Sequence, residues 1–133
     1  MAGADIDVFV REVRFNGDGL VAVVAVDDKR GDVLMMAWMN EEAVRRTLQS
    51  GDVHYWSRSR GTLWRKGETS GQTQTLKSMA IDCDGDTLLV RVEQKGVACH
   101  TGRRTCFYRE WREGKLVITH EVEVAPDTLY GKK

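Results

Sequence analysis

Proline is almost absent from this 133-residue chain, with Pro126 the only one. That position excludes a zinc deaminase of nucleobases, whose signature needs a proline directly before a C-x2-C pair. Net charge is also lacking. Lys and Arg total 20 and Asp and Glu total 20, so no global field draws the chain to nucleic acid or to a membrane surface. Any polyanionic partner must be small. No apolar run approaches the ~20 residues of a membrane-crossing helix. The opening Met1-Ala2-Gly3-Ala4-Asp5-Ile6-Asp7 has neither the basic flank nor the apolar stretch of a secretory signal, and a cytoplasmic location is expected. Cysteine is scarce, and its count is odd: three thiols cannot all pair within one chain. A reducing cytosol would leave them available for a metal or for chemistry.

The length fits one domain spanning residues 1–133, and a chain of this size buries roughly two-thirds of its unfolded surface on folding. No repeat, linker or second domain is visible. Turn residues at Asn16-Gly17 and Asp18-Gly19 predict an opening hairpin between strands at 8–15 and 20–26. The short apolar run 33–39 reads as a strand covered on both faces. Asn40 is placed to cap the one clear helix, with Val44, Thr47 and Leu48 on a shared face and Gly51 as its stop. Residues 52–57 read as a strand, and 57–75 as a long polar loop. Alternation predicts half-buried strands at 88–92 and 116–124. Glu113-Gly114 turns 107–111 back onto the second of these, and the tail from Pro126 reads as frayed. A mainly β chain, bordering on α+β, is the expectation.

Asp82-Cys83-Asp84-Gly85-Asp86 sets three carboxylates around a thiol. In an extended chain, alternation sends Asp82, Asp84 and Asp86 to one side and Cys83 to the other. Hard oxygens suit Mg²⁺ and a soft thiolate suits Zn²⁺. A plain acidic turn is the bland alternative. An EF-hand calcium loop is disfavoured because Thr87 stands where that loop needs glycine.

Further on, Cys99-His100 and Cys106 flank the polar stretch 101–105. Three thiols and an imidazole would make a tetrahedral zinc site. The spacing is not that of a zinc ribbon, and isolated cysteines are more often small buried hydrophobes. With only the three thiolates bound, the open position takes water, whose pKa zinc lowers from ~15.7 toward ~7. His100 is then a fourth ligand or a base beside that water, the base being favoured. His120, on an apolar strand face, reads as a packed or interface histidine.

The stretch His54-Tyr55-Trp56-Ser57-Arg58-Ser59-Arg60, followed by Trp64-Arg65-Lys66-Gly67 and Ser70-Gly71, combines phosphate donors with rings able to stack on a base. The alternative is a solvated loop with two packed tryptophans.

Taken with Met36-Ala37-Trp38-Met39-Asn40-Glu41-Glu42-Ala43, these segments resemble the phosphoribosyl-AMP cyclohydrolase family over roughly residues 20–110. The resemblance implies a histidine-biosynthesis hydrolase that opens the N1–C6 bond of the adenine ring in phosphoribosyl-AMP. It implies a homodimer of mostly β subunits with folded, barrel-like mixed sheets. Zn²⁺ would be shared across the interface by Cys83 of one chain and Cys99 and Cys106 of the other, and Mg²⁺ would be held by Asp82, Asp84 and Asp86. Trp56, Ser57, Arg58, Ser59, Arg60, Trp64, Lys66 and Ser70 are the candidate substrate contacts, and His100 and His54 the candidate proton carriers. The pyrophosphohydrolase domain fused to some relatives is not expected. A non-enzymatic zinc-stapled or nucleic-acid module is the rival, and zero net charge disfavours it.

Overall fold

The computed structural model describes residues 3–130. Their elements run α1 (Gly3–Glu12), β1 (Val21–Asp27), β2 (Val33–Met39), α2 (Glu41–Ser50), β3 (His54–Ser57), β4 (Thr62–Arg65), β5 (Gln74–Ile81), β6 (Thr87–Gln94), β7 (Arg109–Arg112), β8 (Lys115–Ile118) and α3 (Pro126–Tyr130). β1 is almost wholly Val and Ala, the composition of a strand with neighbours on both sides. It pairs antiparallel with β2 and parallel with β6, and β5 closes the other edge, giving an open mixed sheet in the order β2-β1-β6-β5. β3–β4 and β7–β8 are separate two-stranded ribbons.

One sheet face carries the core. Val21, Val23 and Ala25 of β1 join Leu88, Val90 and Val92 of β6, and the two longer helices cover them with Ile6 and Val10 of α1 and Ala43, Val44 and Leu48 of α2. Each such Val, Leu or Ile contributes about 1.5–3 kcal/mol by leaving water. α2 is bounded as its sequence predicts. Asn40 Oδ1 accepts from the Ala43 amide at 2.9 Å, and Gly51, at φ +80°, returns its amide to the Thr47 carbonyl.

Several expectations are corrected. Residues 8–12 form the end of helix α1, because Ile6, Val10 and Val13 recur at helical spacing and all three are buried. Asn16 then makes a local turn, its Oδ1 accepting from the Asp18 and Leu20 amides, and no opening hairpin forms. There are three helices among the described residues, not one. The polar stretch 57–75 contains β4, paired along its length with β3. β2 is buried at Leu34, Met35 and Met39 but exposed at Val33 and Met36, so it is not covered on both faces.

At the other end, β8 stops at Ile118, and Leu116 and Ile118 are more than half exposed on a β7–β8 ribbon that hydrogen-bonds to no other described strand. Beyond it the chain bends, leaving His120 outside any strand, and the amides of Glu123 and Val124 both donate to the Gly102 carbonyl. The tail is helical from Pro126 to Tyr130 and anchored by Leu129, which is buried.

Candidate active site

Residues 82–86 are not extended. They form the turn of the β5–β6 hairpin, with the Asp82 carbonyl accepting from the Gly85 amide and Asp82 Oδ1 accepting from the Asp86 and Thr87 amides. Gly85 is required there. Its φ is +82°, and a Cβ would stand 2.7 Å from the Glu12 carbonyl oxygen. The turn nevertheless gathers the three carboxylates: oxygens of Asp82, Asp84 and Asp86 lie within 4.8 Å of one another, all on exposed side chains. Hydrogen bonding to Asp84 and Asp82, and their negative charge, raise the Asp86 carboxyl above its ordinary value. This oxygen set fits a hard divalent cation. Cys83 is exposed and faces a small recess with Glu12 and Arg14.

The other two thiols lie elsewhere: Cys106 lines an open cleft of about 510 Å³, and Cys99 is buried beside it. β2 supplies Met35, Met36 and Ala37 to its wall, and the β3–β4 ribbon supplies Arg60 and Trp64. The following turn adds Lys66 and Ser70, and the thiol loop adds Ala98, His100 and Cys106. Gly67, at φ +85°, lets this turn close, since a Cβ there would meet the Gln72 and Thr73 backbone at 2.7 Å.

Lys66 is buried and donates from Nζ to the Ala98 carbonyl at 2.7 Å. Burial lowers its pKa, against the opposing pull of the Cys106 and Cys99 sulfurs. Cys99 is buried and accepts from Thr101 Oγ1 at 3.1 Å, whereas the neighbouring Cys106 is exposed. Desolvation and the adjacent Cys99 push the Cys106 thiol up to about 12, while Lys66 works the other way. Two neighbouring thiols are a fitting donor set for a soft cation.

The remaining candidates divide. Arg60, Trp64, Lys66, Ser70 and His100 line the cleft, whereas Trp56, Ser57, Arg58 and Ser59 do not. Ser57 Oγ accepts from the Arg60 amide at 3.3 Å, so it shapes the turn that carries Arg60. The Arg58 guanidinium lies 4.8 Å from the Trp38 ring centroid. In the β3–β4 register, Trp56 opposite Leu63 faces away from the Tyr55–Trp64 pair, whose ring centroids are 5.4 Å apart. His54 accompanies Arg46, Gln49 and Ser50 in a separate surface recess, its Nδ1 2.8 Å from the Asp52 carbonyl.

Sequence reasoning did not select Thr69, which stands between two selected residues and lines the cleft, or Tyr130, which reaches it through α3. It also passed over Arg104 as one charge in a polar stretch. Its position between Cys99 and Cys106 was the available signal.

A cleft that brings basic and aromatic side chains together with a histidine and a thiol has the groups an enzyme's active site uses. The phosphoribosyl-AMP cyclohydrolase family model matches residues 35–108, which hold every candidate residue named above except Tyr130 and the Glu12–Arg14 wall of the Cys83 recess. Proteins named phosphoribosyl-AMP cyclohydrolase are similar over nearly the whole chain. That of Rhodospirillum centenum is 55% identical over 99% of this chain and 99% of its own, and that of Paramagnetospirillum magneticum is 57% identical over 99% and 100%. That of Halorhodospira halophila is 53% identical over 97% of this chain and 91% of its own. The chain belongs to the phosphoribosyl-AMP cyclohydrolase family, a family of hydrolases. No helix among the described residues is long and apolar enough to cross a membrane.

Proposed function

We propose that this chain catalyses hydrolytic opening of the N1–C6 bond in the adenine ring of 1-(5-phosphoribosyl)-AMP, a step of histidine biosynthesis, in the cytoplasm. The observation that carries the reading is the single cleft that joins phosphate donors Arg60, Lys66 and Ser70 and the Trp64 ring to His100 and the Cys106 thiol. The substrate is a flat base with a phosphate at each end. Trp64 offers it a stacking face, and Arg60 offers a phosphate the paired donors of a guanidinium. The ribosyl group on N1 makes C6 electrophilic. His100 accepts the proton of the attacking water and returns it as the ring bond breaks.

Cys99 and Cys106, with Cys83 of the partner subunit, would hold Zn²⁺, and Asp82, Asp84 and Asp86 would hold Mg²⁺. Zinc so bound supplies acidification of water, and magnesium supplies charge neutralisation at phosphate. The homodimer in this reading is supported by a sheet face that the described residues leave partly open. Met36, Val24, Leu89 and Ala80 lie in register across all four strands on the side away from the core. A second copy on that face would convert the open sheet into the barrel-like arrangement. It would also supply the third thiol, since Cys83 and the Cys99–Cys106 pair lie in different recesses of one chain. His54, outside the cleft of its own chain, carries protons in this scheme only from the partner subunit. Trp56, Ser57, Arg58 and Ser59 act by shaping the Arg60 turn.

The test is the ultraviolet absorbance change when metal-loaded protein meets phosphoribosyl-AMP, repeated after chelation and after zinc is restored. Turnover that vanishes and returns with zinc is expected. Folded, metal-loaded protein without turnover would refute the assignment.

A further inference from the structure

Arg104 makes three hydrogen bonds to carboxylates, and it lies in the chain between Cys99 and Cys106. Its Nε and Nη2 donate to Asp32 Oδ2 and Oδ1, each at 2.9 Å, and Nη2 also donates to Asp27 Oδ2 at 2.9 Å. Asp27 is itself fixed. Its Oδ1 accepts from the Lys29 and Arg30 amides, and its own amide donates to the Asp32 carbonyl, so the 27–32 turn is folded around the carboxylate that Arg104 grips.

The backbone beside Arg104 does the complementary work. Its carbonyl accepts from the Ala98 amide and that of Arg103 from the Cys99 amide, both at 3.1 Å. Thr105 Oγ1 donates to the Val33 and Leu34 carbonyls, and the Cys106 amide donates to the Leu34 carbonyl at 2.8 Å. One end of the loop is therefore tied to 103–104, the other to the start of β2, and the Arg104 side chain joins both to the β1–β2 turn. With 13% and 12% of the Arg104 and Asp27 side chains exposed, the pair is largely withdrawn from water. Such pairs are costly to desolvate, and apolar packing often serves stability as well or better. What the fork adds over apolar packing is a fixed geometry.

We propose that Arg104 is the positioning residue of the thiol pair: held by Asp32 and Asp27, it fixes where Cys106 stands relative to Cys99 and so sets how tightly the pair takes a thiolate-binding cation. This rests on the proposed metal role of those thiols.

The test titrates the reduced, full-length protein with Co²⁺, whose bonds to thiolate give near-ultraviolet charge-transfer bands, followed by chelator competition for Zn²⁺. Arg104→Ala is expected to weaken Zn²⁺ binding by about 10–100-fold, the range seen when a residue that orients a metal ligand is lost, and to shift the Co²⁺ bands. Arg104→Lys keeps the charge without the fork and is expected to recover only part of the affinity. Asp32→Asn is expected to act in the same direction but more weakly, and it serves if Arg104→Ala does not fold. Circular dichroism monitors folding. Parental affinity and parental bands in a folded Arg104→Ala protein, or in Asp32→Asn if that is the folded variant, would overturn the proposal. If the parent itself shows no thiolate band, the metal reading fails first and takes this inference with it.

Discussion

The thiol loop and the acidic turn are the two donor-bearing segments of this chain, and they are held in opposite ways. The loop over 98–106 is anchored at Ala98, Cys99, Arg104, Thr105 and Cys106, with Cys99 buried. The acidic turn has one structural glycine and a few local amide bonds, and all three carboxylates are exposed. Soft donors are therefore presented preformed but incomplete, with the third thiol facing another recess. Hard donors are complete within one chain but repel one another. A thiolate site demands set angles and profits from a rigid loop, whereas a hard cation accepts several geometries and itself supplies the force that orders its ligands.

Removing a donor from the rigid segment should break this contrast most sharply. On the proposed function, Cys106→Ser abolishes zinc binding and turnover, a loss larger than the roughly 10–100-fold that follows when a residue merely orients a ligand. Zinc stoichiometry and the ring-opening absorbance assay check it. Asp84→Asn should do less: turnover persists at saturating Mg²⁺, and the concentration needed for half-maximal rate rises by about tenfold as one charged ligand is lost. Unchanged Mg²⁺ dependence would remove the acidic turn from the metal reading.

The donor types of the two segments were legible in the sequence, but not how each is held. The thiols, the histidine and the aspartates were identified by residue type and spacing, because donor chemistry is local. Their supports were not. Gln72 and Gln74 read as polar loop residues, yet with Gln94 they form a partly buried relay: Tyr55 Oη donates to Gln74 Oε1 at 2.6 Å, Gln74 Nε2 donates to Gln94 Oε1, Gln94 Nε2 donates to the Gln72 carbonyl, and Gln72 Oε1 accepts from the Val97 amide beside the thiol loop. Such partners lie 19 to 25 residues apart, and no local period reports them. Helix α1 was misread for a different reason. Reading from residue 8 omitted Ile6, the position that establishes the helical period. The relay also yields a stability prediction: Tyr55→Phe leaves Gln74 Oε1 buried without its donor and should cost about 1–3 kcal/mol in denaturant unfolding. A smaller change would show that the loop does not depend on the relay.

The mildest test sets the two carboxylate groups against each other by pH in metal-free protein. The Arg30 amide and the Arg104 guanidinium hold Asp27 below the ordinary 3.8, and the Arg104 guanidinium does the same for Asp32, despite the counter-effect of burial. Groups with lowered folded values contribute stability that is complete above 3.8 and lost as pH falls through those values. Asp86 is displaced the other way, so its contribution is complete below the ordinary 3.8 and lost as pH rises through its raised value, while Asp82 beside it is lowered and adds to the acid limb. Thermal midpoints measured through the carboxylate range should therefore carry two limbs of opposite slope. Asp32→Asn should flatten the acid limb and leave the other. Asp84→Asn, or added Mg²⁺, should flatten the limb from Asp86. If Asp32→Asn flattened the limb from Asp86, the anchored loop and the open turn would share one electrostatic unit, and the contrast between them would fail.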